Sequence, residues 1–330
     1  MTNGWTGGQY SAYRIIFGLY LFVLFSCISC HYGSNPDLPV SAVGIILALG
    51  FILGFLDKVC ALGAICLLGY MAYQTDSILD LGTLLTQSLL LFHIGSPPAP
   101  IGSLAHKFLG DPNLDWQLSN RSQNVIRAIS LLLFLNIGLS QILLSLRPWY
   151  AYIMAVYPLL FLIKKFRSIT WLLLLFVLLS LGATKEVDFV VPLIFFHLLC
   201  FSPNWLKAKK QGDNIILYDG HCGFCHKWVI FVLAEDRTTP FFRFKPNDTE
   251  SKSIVLQRSK NELLIRSEAV VEILKGLGGL WYILGVLIWL IPYPARDLGY
   301  RFIASIRHKL SSTPEDVCPV VPENLRQRFL

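Results

Sequence analysis

The first 204 residues carry only 10 Lys/Arg and 8 Asp/Glu, scattered between long apolar runs, and this restricts the fold more than any other feature of the chain. Eight apolar segments fall at about 12–30, 40–56, 59–73, 78–95, 125–146, 149–163, 169–183 and 189–201. A globular core has no use for that much continuous apolar sequence, whereas a bilayer does. Crossing the hydrocarbon takes ~20 residues, with a usual range of roughly 17–25. The first, second, fourth and fifth segments meet that length. The other four are short, and Pro158 and Pro192 interrupt two of them; they are expected to tilt, to extend into the interface or to be re-entrant. Residues 1–9 lack the basic region of a cleaved signal, so the first segment is expected to stay in the chain as a span.

Basic residues divide unevenly between the connections. If all eight segments cross, one side receives Arg14, Lys58, Lys107, Arg121, Arg127, Lys164, Lys165, Arg167, Lys207, Lys209 and Lys210, and the other only Arg147 and Lys185. An excess of that sign places both termini in the cytoplasm of a multi-pass integral membrane protein, in the inner membrane if the source is bacterial. The net charge of +7 includes no basic run interleaved with aromatic residues, so nucleic acid is not an expected partner; the lipid bilayer is.

Within the spans, His197, Asn136, Ser140 and Gln141 fit either a lined path or ordinary interhelical hydrogen bonding, which is worth only ~1 kcal/mol per contact. No span carries the paired carboxylates of a proton pump. The opening Tyr13-Arg14-Ile15-Ile16-Phe17-Gly18 and the layout of about the first 200 residues resemble bacterial membrane modules of the HTTM type, relatives of the vitamin K-dependent carboxylases. No carboxylase chemistry is carried across.

Beyond residue 204 the composition changes: 18 Lys/Arg and 13 Asp/Glu occupy a much shorter stretch. Here Tyr218-Asp219-Gly220-His221-Cys222-Gly223-Phe224-Cys225 follows a short apolar run, 214–218, and precedes a helical pattern over 227–234. A Cys-x-x-Cys between strand and helix suits thiol–disulfide exchange. The helix N-terminus favours a thiolate on the first cysteine, and the second is near enough to resolve a mixed disulfide. Eight cysteines are present, Cys27, Cys30, Cys60, Cys66, Cys200, Cys222, Cys225 and Cys318, and five lie in or beside apolar spans, so they are no disulfide scaffold. A structural zinc site would need a second Cys/His pair at suitable spacing, and only Cys318 is distant enough to help. Redox chemistry, half a metal site and an inert remnant all fit the motif itself; redox chemistry with no cofactor and no metal is the expectation. Cys27 and Cys30 form a second Cys-x-x-Cys. A relay from there to Cys222 and Cys225 would need sulfur contact at ~2 Å across ~30 Å of bilayer, which favours simple packing for them.

The motif Tyr-Asp-Gly-x-Cys-x-x-Cys resembles the signature of the DCC family of thiol–disulfide oxidoreductases. The likeness continues through Ser267 and Ala269, Leu277-Gly278-Gly279-Leu280-Trp281, Ile291-Pro292, Arg296-Asp297, Tyr300, Ile303-Ala304, Arg307, and Cys318 to Arg328-Phe329-Leu330, covering roughly 213–330. The resemblance implies a thioredoxin-like α/β fold and activity of the protein-disulfide reductase type on an unidentified protein or small-molecule disulfide. By position, Cys222 is the expected nucleophile, more exposed than Cys225, the resolving thiol one turn deeper. Asp219 is expected either to assist proton transfer at that thiol or to serve the turn. His221 and His226 are possible modulators of the thiol pair, or merely solvated surface residues.

Local patterns agree with a thioredoxin-like outline. Strands are expected at 214–218 and 241–244, a hairpin at 253–257 and 262–266, and a helix at 268–277 capped by Ser267. The link from Phe244 to the hairpin is only about eight residues. The apolar stretch 280–293 is short for a ninth span and reads as a helix docked on the domain core or the membrane surface, with Tyr300, Ile303 and Ile306 alternating with basic residues after it. The expected architecture is therefore an α-helical polytopic membrane bundle over 1–204, a basic linker over 205–212 and a cytoplasmic thioredoxin-like α/β domain over 213–330. Its expected function is that of a membrane-anchored thiol–disulfide oxidoreductase. The alternative makes the membrane part a transporter or lipid-modifying module, with the Cys-x-x-Cys domain as its redox sensor.

Overall fold

A computed structural model describes residues 4–31, 38–74, 80–98, 100–105, 116–144, 148–184, 189–206, 214–236, 242–247, 253–258, 262–310 and 323–330. Lys107, Arg147, Lys185, Lys207, Lys209, Lys210 and Cys318 lie outside the described residues, as do most of the basic linker and the side chain of Cys30. The chain packs into two compact units that do not follow chain order. One comprises chiefly Ser11–Leu109 and Leu118–Ser202; the other comprises Gly4–Tyr10, Gly110–Gln117 and Pro203–Leu330.

Every apolar segment of the first 204 residues lies mostly within a helix: α1 Gly7–His31, α2 Leu38–Leu53, α3 Asp57–Gln74, α4 Leu81–Ile94, α5 Asn120–Leu143, α6 Trp149–Leu162, α7 Arg167–Thr184 and α8 Val190–Leu199. Two have start signals at the expected offset. Asp80 accepts from the Thr83 N–H at 2.7 Å, and Ser119 from the Ser122 N–H at 3.0 Å, satisfying donors that have no partner in the helix. By length and composition two helical stretches are apolar enough to cross a membrane, Gly7–Cys27 and Asn120–Leu143, which suggests membrane association. Of the others, α3 and α7 have 18 residues, whereas α4 and α6 have 14 and α8 has 10. At ~1.5 Å per residue the last three reach only about 15–21 Å.

Small residues bring α5 against α6. A Cβ on Gly138 would stand 2.5 Å from the Ala155 nitrogen and 2.7 Å from the Ala151 carbonyl oxygen, backbone atoms that cannot rotate aside. Gly138→Ala is expected to cost about 1–3 kcal/mol by forcing the helices apart. Gly182→Ala, whose nearest new contact is 3.7 Å, is the matched control. Equal heat-aggregation midpoints for the two variants in detergent would refute the close-approach argument.

The second unit holds a four-stranded sheet of order β2-β1-β3-β4, with β1 Asn214–Tyr218, β2 Phe242–Pro246, β3 Val255–Gln257 and β4 Leu263–Ile265. β1 runs parallel to β2, with Ile216 opposite Phe244, and antiparallel to β3, with Ile216 opposite Leu256. β3 and β4 form the expected hairpin, with Leu256 opposite Leu264. Helix α9, Gly223–Glu235, makes the crossover from β1 to β2, and α10, Arg266–Leu277, follows β4. Because strand side chains alternate between faces, Ile216, Phe244, Leu256 and Leu264 share one face. They form the core there with Val229, Val232 and Leu233 of α9 and Ala269 and Ile273 of α10. The chain end covers the outer edge of β2: Phe244 N–H donates to the Arg328 carbonyl (2.8 Å), and Leu330 N–H to that of Phe244 (2.9 Å).

Two local readings need correction. Helix α9 starts at Gly223 rather than Lys227, which puts Cys225 inside its first turn. Ser267 does not cap α10: the cap position is Ile265, and Ser267 lies within the first turn, buried, its hydroxyl without a hydrogen-bond partner. After α10 come α11 Gly279–Leu290, α12 Tyr293–Leu310 and the short α13 Glu323–Arg326. The apolar stretch 280–293 is thus a helix and a sharp bend, with α11 and α12 meeting at 114°.

Candidate functional site

The cysteine motif sits where the central strand hands over to α9. Tyr218 ends β1, Asp219-Gly220-His221 turn, and Cys222 takes the N-cap position with extended backbone (φ −106°, ψ 109°). The turn is fastened internally. Asp219 Oδ1 accepts from the His221 N–H (3.0 Å), and the Asp219 carbonyl from the Cys222 N–H (3.3 Å). The His226 ring donates from Nε2 to the Gly220 carbonyl at 2.8 Å and meets the Tyr218 ring edge-on.

Both sulfurs are enclosed. Cys222 is 0 % exposed and Cys225 1 %, which corrects the expectation that Cys222 is the more accessible thiol. The physical reason is the helix start at Gly223, which draws the pair into the core cluster formed with Ile216, Phe242 and Leu256. Burial, a hydrogen bond to Cys222 and the Cys222 charge together push the Cys225 thiol up to about 12. Asp219 acts in the same direction, and Arg307 opposes it.

Arg307 is the residue that sequence reasoning passed over as a functional group. It reaches in from α12, and its Nη2 donates to Asp219 Oδ2 at 3.0 Å with both side chains buried. Tyr300, two turns earlier on the same helix, accepts from the Ile254 N–H just before β3 (3.0 Å). A signal was present: Asp297, Tyr300 and Arg307 recur at helical spacing. Of the expected site residues, then, Asp219, Cys222, Cys225 and His226 are gathered in one buried cluster. His221 points its side chain to solvent, whereas His226 is a buried turn-holder and not a surface residue. Among the described residues no three His, Cys, Asp or Glu side chains are grouped as metal ligands.

A second anchor escaped the sequence reading. The Glu235 carboxylate, at the end of α9, accepts from the Gly8 N–H (2.8 Å), the Trp281 indole N–H (2.6 Å) and the Thr6 hydroxyl. It sits at the N-terminus of α1, where a negative charge is favoured. In the helical unit, Arg14 is fully buried and paired with Asp57 at 3.5 Å, and His93 Nε2 lies 3.3 Å from the same oxygen. Arg14 is therefore an internal ion-pair partner, which removes it from the eleven basic residues counted for topology. His197 follows the interhelical reading: its Nε2 donates to the Trp171 carbonyl, and the Trp171 indole donates to the His197 carbonyl, both at 2.8 Å. Ser140 bonds within its own helix. Cys27 and Cys66 are exposed, and Cys200 is buried.

Residues 216–313 match the family model for DCC1-like thiol-disulfide oxidoreductase. The uncharacterized protein YuxK of Bacillus subtilis (strain 168) is 25% identical over 139 residues, 38% of this chain and 99% of YuxK. No solved structure matches. The family match stops short of the first 200 residues and lends no support to their resemblance to HTTM-type modules.

Proposed function

We propose that this chain, with a DCC1-like segment in its second compact unit, is a membrane-anchored thiol–disulfide oxidoreductase of the protein-disulfide reductase type. The observation that carries the reading is the buried Cys222–Cys225 pair at the start of α9, close after the central strand. The strand order β2-β1-β3-β4, with one parallel and two antiparallel pairings, supports a thioredoxin-like fold. The apolar helices support a polytopic membrane bundle, with the shorter ones tilted or re-entrant.

In the reaction, Cys222 at the helix N-terminus attacks one sulfur of a substrate disulfide. The substrate S–S bond breaks, a mixed disulfide forms, and the departing substrate thiolate takes a proton. Cys225 then loses its proton, attacks Cys222 and releases the second substrate thiol. Two electrons pass from the dithiol to the substrate, and an external thiol reductant restores the pair. Asp219, close enough for its charge to act on Cys225, receives the Cys225 proton; Arg307 holds the carboxylate in place. Since both sulfurs are enclosed, local opening of the 219–222 turn precedes attack.

The Cys225 shift fixes how the second step responds to pH. In the free dithiol the Cys225 thiol is pushed up to about 12; once Cys222 is held in the mixed disulfide its contribution is gone, and burial with the Asp219 charge keeps the thiol raised, so its thiolate still grows with pH. Reduction of glutathione disulfide or insulin by the intact, detergent-solubilised protein is expected to show a resolution step that does not slow, and accelerates where free thiolate limits it, as the pH rises from 6 to 9. A resolution rate that falls as the pH rises would remove Cys225 as the resolving thiol, and no reduction at any pH would remove the activity.

The buried Arg14–Asp57–His93 group favours one further reading, in which the helical unit does the work and the dithiol acts as its redox sensor. A redox enzyme loses its output when Cys222 is replaced, whereas a sensor becomes locked in one state.

A further inference from the structure

Exposed large apolar side chains in the second unit concentrate on one feature. Along α11 and the bend after it, Leu287, Trp289, Leu290, Ile291 and Tyr293 are all exposed, and along α12 Leu298 and Phe302 are more than 60 % exposed. Elsewhere in that unit the described residues expose few large apolar groups, Leu263 and Ile265 of β4 and the terminal Leu330. The opposite sides of the two helices are engaged. Gly285 backs onto Lys275 and the Val271 carbonyl of α10, while α12 turns Asp297, Tyr300 and Arg307 inward, two of them onto the redox turn or the strand beside it. Each helix therefore has one side packed on the domain and, among the described residues of its unit, one exposed apolar side.

We propose that this elbow, α11 with the first half of α12, is a lipid-docking surface of the redox unit, lying in the headgroup–acyl boundary of a membrane leaflet. Three observations select lipid as the occupant. First, the apolar surface is edged with interfacial residue types in interfacial pairings. The Lys275 ammonium lies 5.1 Å from the Trp289 ring centroid, and the Arg296 guanidinium 5.4 Å from that of Tyr293. Aromatic rings beside cations suit the headgroup level of a bilayer.

Second, charge complements an anionic surface. On the elbow Arg301 is exposed, while Asp297, the single acid of residues 279–310, is buried. Third, the elbow is fastened, within its own unit, to the first residues of an apolar stretch. The Gly279 N–H donates to the Leu206 carbonyl (2.9 Å) and the Leu280 N–H to the Gln9 side chain (3.3 Å), while Trp281 shares Glu235 with Thr6 and Gly8. Gln9 belongs to this same compact unit, and the stretch Gly7–Cys27 is long and apolar enough to enter a bilayer. The elbow lies on the membrane and does not cross it. Its 12-residue first arm reaches only about 18 Å, and the 114° bend turns the chain back before Arg301.

This extends the proposed function without depending on it. Tyr300 and Arg307 sit on the inner side of the docked helix, so the dithiol would be held at the lipid surface and presented to disulfides of membrane-bound partners.

The test places a photoreactive diazirine amino acid singly at Leu290, Leu298, Phe302 and, as control, Leu263, in the intact protein. The protein is reconstituted in vesicles of phosphatidylethanolamine and phosphatidylglycerol at 3:1. Since all four sites are exposed, folding is preserved, and a wild-type melting profile of each variant verifies this. Phospholipid adducts, read by mass spectrometry, are expected at positions 290, 298 and 302 at five times the Leu263 yield or more. Yields no greater than at Leu263 overturn the proposal. Adducts dominated by a second copy of the chain also overturn it, and assign the face to self-association. Neither result bears on disulfide reduction, which is assayed separately.

Discussion

Cys222→Ser is expected to bring disulfide reduction by the intact protein down to the uncatalysed rate, a loss of roughly a hundredfold or more, because a hydroxyl at that position cannot attack a disulfide at neutral pH. Cys225→Ser is expected to behave differently. It retains the attacking sulfur and loses the resolving one, so it should accumulate a mixed disulfide that migrates as a covalent adduct without reductant and disappears with it. The two outcomes separate the roles, which burial alone does not, since both sulfurs are enclosed. If the Cys225→Ser protein traps nothing while Cys222→Ser does, the assignment of nucleophile and resolving thiol is reversed. If both variants keep wild-type turnover, the motif is not the catalytic group. The small size of the reagent matters in any parallel labelling experiment: iodoacetamide should reach Cys222 during opening of the turn well before a bulky maleimide does.

The second large effect concerns the chain end. Arg328 is buried, pairs with the Asp236 carboxylate and donates from Nε to the Phe242 carbonyl at 2.9 Å. Asp236 in turn accepts from the Phe242 N–H at 3.0 Å. Arg328→Met fills similar volume but leaves a buried carboxylate without its cation, a change that typically costs about 3–5 kcal/mol. The stacking of Phe329 on Phe244, and with it the cover over the β2 edge, should loosen as a consequence. Limited proteolysis of the intact protein should show cleavage in the C-terminal unit at much lower protease concentration than for wild type. Adding Asp236→Asn to that variant removes the stranded charge while keeping an acceptor for Phe242, and is expected to restore most of the loss. Failure of the second substitution to restore resistance would show that the arginine acts by packing and not through the ion pair.

What the sequence by itself determined are the features written in short windows. The apolar segments became helices α1 to α8, and the short apolar run 214–218 became β1. The hairpin pattern placed β3 beside β4. Cys-x-x-Cys at a strand end announced its own position, although the helix after it starts at Gly223, earlier than the local pattern put it.

Tertiary structure decided everything that depends on partners far away in sequence. Asp219 meets Arg307 across 88 residues, Asp236 meets Arg328 across 92, and Glu235 meets Thr6 across 229. Helical spacing marks Asp297, Tyr300 and Arg307 as one face, but no local pattern names the partner in any of these pairings, because an ion pair or a buried acceptor is specified by where two elements come together. The same holds for the burial of Cys222. The residues that enclose it come from β1, β2, β3 and α10 as well as its own helix, so its accessibility could not be read from the motif that made it the obvious nucleophile.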